Sequence, residues 1–206
     1  SGRIFEKHIT LAAAKEMKKH LESLGRYKVF LTRTKDMFIR LRKRRAIARN
    51  YKADLFVSLH ADAIRNKNIR GLSIYTLSEK ASDREAAYLA DQENKSDLIA
   101  GIDLSIESKE VANILIDLAQ RETMNESSRL AYELVKYIRK FSRTLSNAHR
   151  FAGFAVLKSP DMPSILIEMG FLSNRRDEKV LSYPARRAKL ARVIGDAIDV
   201  YFRKRK

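Results

Sequence analysis

The sequence predicts an α/β domain, and three observations support this. Helix-type and strand-type segments alternate along the 206 residues. The run from Asp54 to Leu59 (DLFVSL) is almost continuously apolar, as strands covered on both faces are. The segments from Glu6 to Leu24 and from Ala185 to Phe202 repeat apolar residues at helical spacing. We therefore expect a mainly parallel, twisted sheet of about five to six strands flanked by helices, with a helical insertion between two strands.

The first half of the chain supplies most of these elements. The helix from Glu6 to Leu24 is followed by Gly25, a residue suited to ending a helix. Asp36 is placed to cap a basic helix that runs to about Tyr51. Strands are predicted at five apolar runs: Tyr27 to Thr32 (YKVFLT), Asp54 to Leu59, Gly71 to Leu77 (GLSIYTL), Gly153 to Lys158 (GFAVLK) and Ser164 to Ile167 (SILI).

The segment at about 78–150 is long, polar and mostly helical in pattern. One helix is predicted from Ser82 to about Leu98, followed by a loop at Gly101 to Ser105. A second helical region is predicted from Lys109 to about Phe141, with a break near Asn125. We interpret the whole chain, 1–206, as one domain that carries this segment as an insertion.

Composition excludes several kinds of chemistry. The chain has no cysteine, so disulfides, thiol nucleophiles and cysteine-ligated zinc are excluded. The net charge of +17 would allow binding to an acidic polymer, an anionic membrane or nucleic acid. No nucleic-acid motif accompanies that charge, and no apolar run reaches the roughly 18 residues that span a bilayer.

Polar residues that directly follow apolar strands are the first candidates for a site, because ligands collect beyond the carboxyl ends of parallel strands. His60 ends one apolar run and Glu168 ends another, while Glu6 begins the first helix. Imidazole and carboxylate are the groups that zinc hydrolysis requires. The residues alone leave blander roles open: a hydrogen-bonded structural histidine, and a surface glutamate favoured by the helix dipole.

Longer strings resolve this ambiguity. EKHITLAAAKEMKKHLE, SLHADA and GFAVLKSPDMPSILIEMGFLSN follow one another at characteristic distances. Together they resemble the zinc-dependent N-acetylmuramoyl-L-alanine amidases, in particular the cell-division amidases of Gram-negative bacteria. The resemblance runs through almost the whole chain.

The resemblance implies a function for each candidate residue. Glu6 and His60 correspond to ligands of one zinc ion, and Glu168 corresponds to the catalytic carboxylate. Asp62 either touches the metal, orients His60 or caps a loop. The family also begins with a strand and a glycine-rich loop that carries a further histidine ligand; we expect that segment upstream of Ser1, the alternative being a truncated, inactive domain.

The same resemblance implies hydrolysis of the amide between N-acetylmuramic acid and L-alanine in peptidoglycan. This activity would serve septum splitting in the periplasm, by a monomer without nucleic-acid partners or membrane insertion. The alternatives are a non-catalytic peptidoglycan-binding module of the same fold and, from charge alone, a nucleic-acid-binding protein. The insertion is expected to hold the enzyme inactive until an activator protein binds. We predict Glu93, in DQENKSDLIAG, as the plugging carboxylate; otherwise the helices are surface decoration and Glu93 is solvated.

Overall fold

The computed structural model describes residues 4–99 and 113–205. Their elements, in chain order, are α1 (Glu6–Ser23), α2 (Leu41–Asn50), β1 (Phe56–His60), β2 (Leu72–Leu77), α3 (Arg84–Ile99), α4 (Asn113–Ile138), β3 (Thr144–Ala152), a 3₁₀ turn (Ala155–Leu157), β4 (Ser164–Glu168), α5 (Arg175–Ser182) and α6 (Pro184–Arg203). The predicted α/β class is confirmed.

The sheet has four strands among the described residues, in the order β1-β4-β2-β3. The pairs β1–β4 and β2–β3 are parallel, whereas β4 and β2 are antiparallel. The expectation of five to six mainly parallel strands is therefore corrected to a mixed sheet. Only a loop without a helix joins β1 to β2, and a parallel return would require a crossover of a dozen or more residues.

Side chains alternate between two cores on opposite faces of the sheet. Ile165 and Ile167 of β4 pack into one core with α1, α4 and α6, while Leu166 packs into the other with α2 and α3. The strand β4 is thus covered on both faces, which explains its nearly continuous apolar sequence. None of the helices in the described part of the chain combines the length and apolar character needed to cross a bilayer.

Two predicted strands are wrong. Residues 153–158 contain the 3₁₀ turn, and the real strand, β3, lies just before them in a sequence rich in polar residues. Residues 27–32 belong to no strand. There, the Val29 N–H donates to Glu22 and the Val29 carbonyl accepts from Lys18, so side chains take the bonds that a neighbouring strand would supply.

The helices follow the expectations more closely. α4 continues without a break through Asn125, and α5 was not predicted. The predicted loop at Gly101 to Ser105 lies outside the described residues. α2 begins at Leu41, not near Asp36, because Asp36 is bound to Lys7 of α1 at 2.6 Å instead of capping a helix.

Candidate metal and active site

His60 and Glu168 lie side by side where two parallel strands end. They are register partners on β1 and β4. The imidazole is 6% exposed and the carboxylate is fully buried. Burying a carboxylate without a counter-charge is costly, so its presence at the end of an apolar strand indicates a chemical role.

Two further carboxylates converge on the same imidazole. Glu6 lies at the start of α1, and its Oε1 is 3.2 Å from Nδ1 of His60 and accepts the Ala61 N–H at 3.0 Å. Oδ2 of Asp62 is 3.7 Å from the same nitrogen. The Asp62 N–H donates to Oε1 of Glu168 at 2.9 Å. The four residues named from the sequence therefore form one cluster.

The cluster has the donor chemistry of a zinc site. Ligand atoms of Glu6, His60 and Asp62 all lie within 4.8 Å of one another. Two ligands that are 2.0–2.2 Å from one ion can be no more than about 4.4 Å apart, so the two contacts to His60 already fit and small side-chain shifts would complete the set. One buried oxygen, Oε2 of Glu168, has no hydrogen-bond partner within the protein. A cation would offset this concentration of negative charge.

The pKa values show how strongly these groups interact. Burial alone would lower the pKa of His60, but Glu93, Asp62 and Glu6 outweigh it and raise that pKa well above its usual value. Burial would raise the pKa of Glu6, yet the hydrogen bond and charge of His60 lower it to about 2. Burial, reinforced by Asp62, raises the pKa of Glu168 well above the ordinary range.

Glu93 reaches the cluster from α3, within the segment predicted as an insertion. It lies on α3, and its Oε1 is 3.7 Å from Nε2 of His60, the nitrogen that also contacts Oγ of Ser58 at 3.0 Å. Its side chain is 13% exposed, so it is not a solvated carboxylate. Glu93 approaches the imidazole from the nitrogen opposite the one facing Glu6 and Asp62. It lies beside the three-residue metal set and is not a member of it.

Sequence reasoning missed Arg44, and it counted Asp97 among the acidic residues that could plug the site without foreseeing its contact with α2. Arg44 of α2 donates to Oε1 of Glu93 at 3.2 Å. Asp97, one helical turn beyond Glu93, accepts the Leu41 N–H at 3.1 Å and so caps α2 from another helix. The sequence contains a signal for this arrangement. Glu93 and Asp97 continue, at helical spacing, the stripe of Ala86, Leu89 and Ala90, which the structure shows to be buried.

The side chains of the other three histidines contact residues outside the metal cluster. His8 contacts Asp36 on the surface at 3.6 Å, and His20 is 2.6 Å from Asp196 of α6. His149 of β3 bonds Thr76 at 3.0 Å. Of the described histidines, His60 is thus the one in the metal cluster.

A deep groove runs beside β1. It encloses about 1750 Å³ between that strand and residues 27–33, and Glu6, His60, Arg44 and Glu93 border it. The strand β1 is hydrogen-bonded to β4 on its other side. Within residues 4–99 and 113–205, β1 is an edge strand of the sheet, and its outer edge faces this groove beside the metal cluster.

Comparisons with known proteins agree with this geometry. Residues 1–200 match the family described as N-acetylmuramoyl-L-alanine amidase. The chain is 38% identical to amidase AmiC of Neisseria meningitidis over 97% of this chain and 48% of that protein. It is 38% identical to AmiA of Salmonella typhimurium over 96% of this chain and 68% of that protein. The solved amidase AmiC2 of Nostoc punctiforme superposes with a TM-score of 0.63 at 25% identity, covering 98% of this chain and 87% of that one.

The chain thus spans about half the length of the first relative and about two thirds of the second. The family match extends over nearly every residue, including both strand ends that carry the cluster. This chain belongs to the N-acetylmuramoyl-L-alanine amidase family, a family of cell-wall hydrolases.

Proposed function

We propose that this chain hydrolyses the amide between N-acetylmuramic acid and L-alanine in peptidoglycan, and that it does so with one zinc ion. The observation that carries the proposal is the cluster of His60, Glu6, Asp62 and Glu168 beside the ends of β1 and β4, in which His60 and Glu168 are buried. Glu6 and His60 would hold the ion, with Asp62 as a further ligand or as the group that orients His60. A bound zinc ion would supply a Lewis acid and an acidified water at this position.

Glu168 is the proposed general base. It accepts a proton from the water that attacks the lactyl carbonyl carbon, and it returns that proton to the alanine nitrogen as the C–N bond breaks. Water is consumed, and a carboxylic acid and an amine are formed. Burial raises the pKa of Glu168, which makes its carboxylate a stronger proton acceptor than an exposed glutamate. The hydrogen bond from Asp62 N–H holds one oxygen, which leaves Oε2 available for the proton.

A further ligand is proposed from a strand upstream of Ser1, as in the family. The groove between β1 and residues 27–33 supports this proposal. Neighbouring strands lie about 4.8 Å apart, and an added strand there would pair with the open edge of β1. Its end would lie beside His60, where β1 itself ends. The alternative of a non-catalytic binding module gains no specific support from the cluster, since binding alone does not require a buried Glu168 with one oxygen unpaired.

The insertion at about 78–150 is proposed to keep the site closed. Glu93 is held near His60 by Arg44, so α3 places a carboxylate beside the cluster. Substrate would have to displace this carboxylate to reach the metal. Release by an activator protein, action in the periplasm at the dividing septum, and a monomeric state are part of the same proposal, by the family resemblance.

The test uses the chain with its upstream segment and zinc. Glu93→Ala should raise release of stem peptides from purified cell wall, because it removes the plugging group without disturbing the apolar face of α3. Adding Glu168→Gln to that variant should lower the rate by about 10²–10⁴-fold. Glu79→Gln, an exposed glutamate at the start of the insertion, is the matched control and should change nothing. Undiminished release by the double variant would refute the role of Glu168.

A further inference from the structure

Arg44 presents a fixed guanidinium beside the proposed active site. Its Nη1 donates to Glu93 at 3.2 Å, and the opposite contact of Glu93 is to His60 at 3.7 Å. Because the same carboxylate oxygen makes both contacts, Nη1 of Arg44 and Nε2 of His60 are no more than about 7 Å apart. The closed protein therefore contains a carboxylate site between Arg44 and the Nε2 side of the His60 imidazole.

This guanidinium does not depend on Glu93 for its position. Its Nε donates to the Ile39 carbonyl at 2.8 Å, and the side chain is 23% exposed. Arg44 lies on α2, which is anchored in the core by Leu41 and Ala48. When Glu93 leaves, Arg44 stays aimed at the same place with unpaired donors. An arginine fork that is already ordered loses little entropy on binding a second carboxylate.

A substrate that replaces Glu93 must therefore bring an anionic group, or leave the Arg44 donors unpaired at a cost. The stem peptide has such a group. Its second residue, next to L-alanine, is a D-glutamate joined through its side-chain carboxyl, so its α-carboxyl is either free or amidated. One residue spans about 3.5 Å, which places this group roughly 7 Å from the scissile amide. That length is of the same order as the separation between Nη1 of Arg44 and Nε2 of His60, which is at most about 7 Å.

On this basis, and resting on the proposed amidase function, we infer that Arg44 binds the free α-carboxylate of the second stem residue once Glu93 has left. Glu93 is then a mimic of the substrate carboxylate in the closed state. Arg44 is accordingly a specificity residue: it favours stems with a free carboxylate over stems in which that group is amidated.

The experiment compares two muropeptides in the Glu93→Ala protein, namely N-acetylmuramoyl-L-alanyl-D-isoglutamate and its D-isoglutamine counterpart. Arg44→Gln should lower kcat/KM for the free acid by about 10- to 100-fold, mainly through KM. The amidated substrate should change by less than about threefold, since it offers no charge to Arg44. Arg42→Gln, on the exposed face of the same helix, is the matched control and should affect neither substrate.

Equal losses for both substrates would overturn the inference and make Arg44 a structural residue. A Glu93→Ala parent that cleaves neither muropeptide would instead refute the proposed function, so the two failures are distinguishable. Should Arg44→Gln not fold, binding of the two product dipeptides to the Glu93→Ala parent decides the matter. The free-acid dipeptide should then bind at least about tenfold more tightly, and equal affinity would refute the inference.

Discussion

Replacing Asp97 with alanine should raise the fraction of molecules with an open site, although Asp97 lies outside the metal cluster. Asp97 is 7% exposed on α3, and its carboxylate caps the N-terminus of α2 through the Leu41 N–H. α2 has no cap from its own N-cap side chain. The bond exists only while α3 is docked; after undocking, water takes over the Leu41 N–H. The free energy lost with this hydrogen bond in Asp97→Ala therefore destabilises the closed state alone.

The expected magnitude follows from this geometry. Replacing a capping carboxylate by alanine costs about 0.5–2 kcal/mol. Since 1.4 kcal/mol is a factor of ten, the open fraction should rise about 2- to 30-fold. The described apolar contribution of α3 is small enough for this to matter, because among its residues 84–97 the buried apolar side chains are Ala86, Leu89 and Ala90.

The assay is the basal release of dye from labelled cell wall, without activator, together with a thermal melt. Asp97→Asn should stay within about threefold of wild type, because the asparagine side chain also caps helices well. Asp91→Ala, which removes an exposed pair with Lys95 on the same helix, should have little effect. The reasoning is wrong if folded Asp97→Ala keeps the wild-type basal rate while Glu93→Ala is activated.

Two further predictions concern the metal and the fold. A chelator should abolish wall hydrolysis by the Glu93→Ala protein, and added zinc should restore it. Glu6→Gln should weaken zinc binding at least about tenfold, measured in competition with a chelating dye, and an unchanged affinity would remove Glu6 from the ligand set. Asp199→Asn should cost about 1–3 kcal/mol at pH 7, measured by denaturant unfolding, because Asp199 accepts hydrogen bonds from Arg26 and Tyr27. The Arg26 hydrogen bond is the main reason that the pKa of Asp199 is lowered, so this stabilisation is present above about pH 4 and is lost as pH falls through the folded-state value. A difference from wild type that stays constant down to pH 2 would contradict this assignment.

The sequence predicted best what depends on one chain segment alone. The apolar runs that became β1 and β4 end at His60 and Glu168, and this position at strand ends was readable without a structure. The helix α1 was placed correctly because Ile9, Ala13 and Met17 recur at helical spacing and are buried. The sequence did not show that His60 and Glu168 lie side by side, since this depends on the parallel pairing of two strands about a hundred residues apart.

The wrong strand predictions arise where the structure of a segment depends on the neighbouring segment that it pairs with. YKVFLT has strand composition, yet a strand exists only when another strand accepts its hydrogen bonds, and this segment faces the groove. GFAVLK is apolar because Phe154, Val156 and Leu157 are buried by a 3₁₀ turn. Conversely, β3 is polar in composition and is a strand because it pairs with β2.

The helix caps illustrate the same limit and bear on regulation. Asp36 has the position and chemistry of a cap for α2, but it bonds Lys7, and the cap comes from Asp97 on α3. A helix next to the proposed active site is therefore completed by the helix that would block it. Opening the site must leave the α2 N-terminus without its Asp97 cap and Arg44 without Glu93, so the closed state is stabilised by two contacts that the open state exchanges for water. A substrate carboxylate can satisfy Arg44 but not the Leu41 N–H, which means that substrate alone offsets only part of the cost of opening. An activator that holds α3 away would supply the remainder, and its effect should be smaller in Asp97→Ala than in wild type when both are compared at saturating activator.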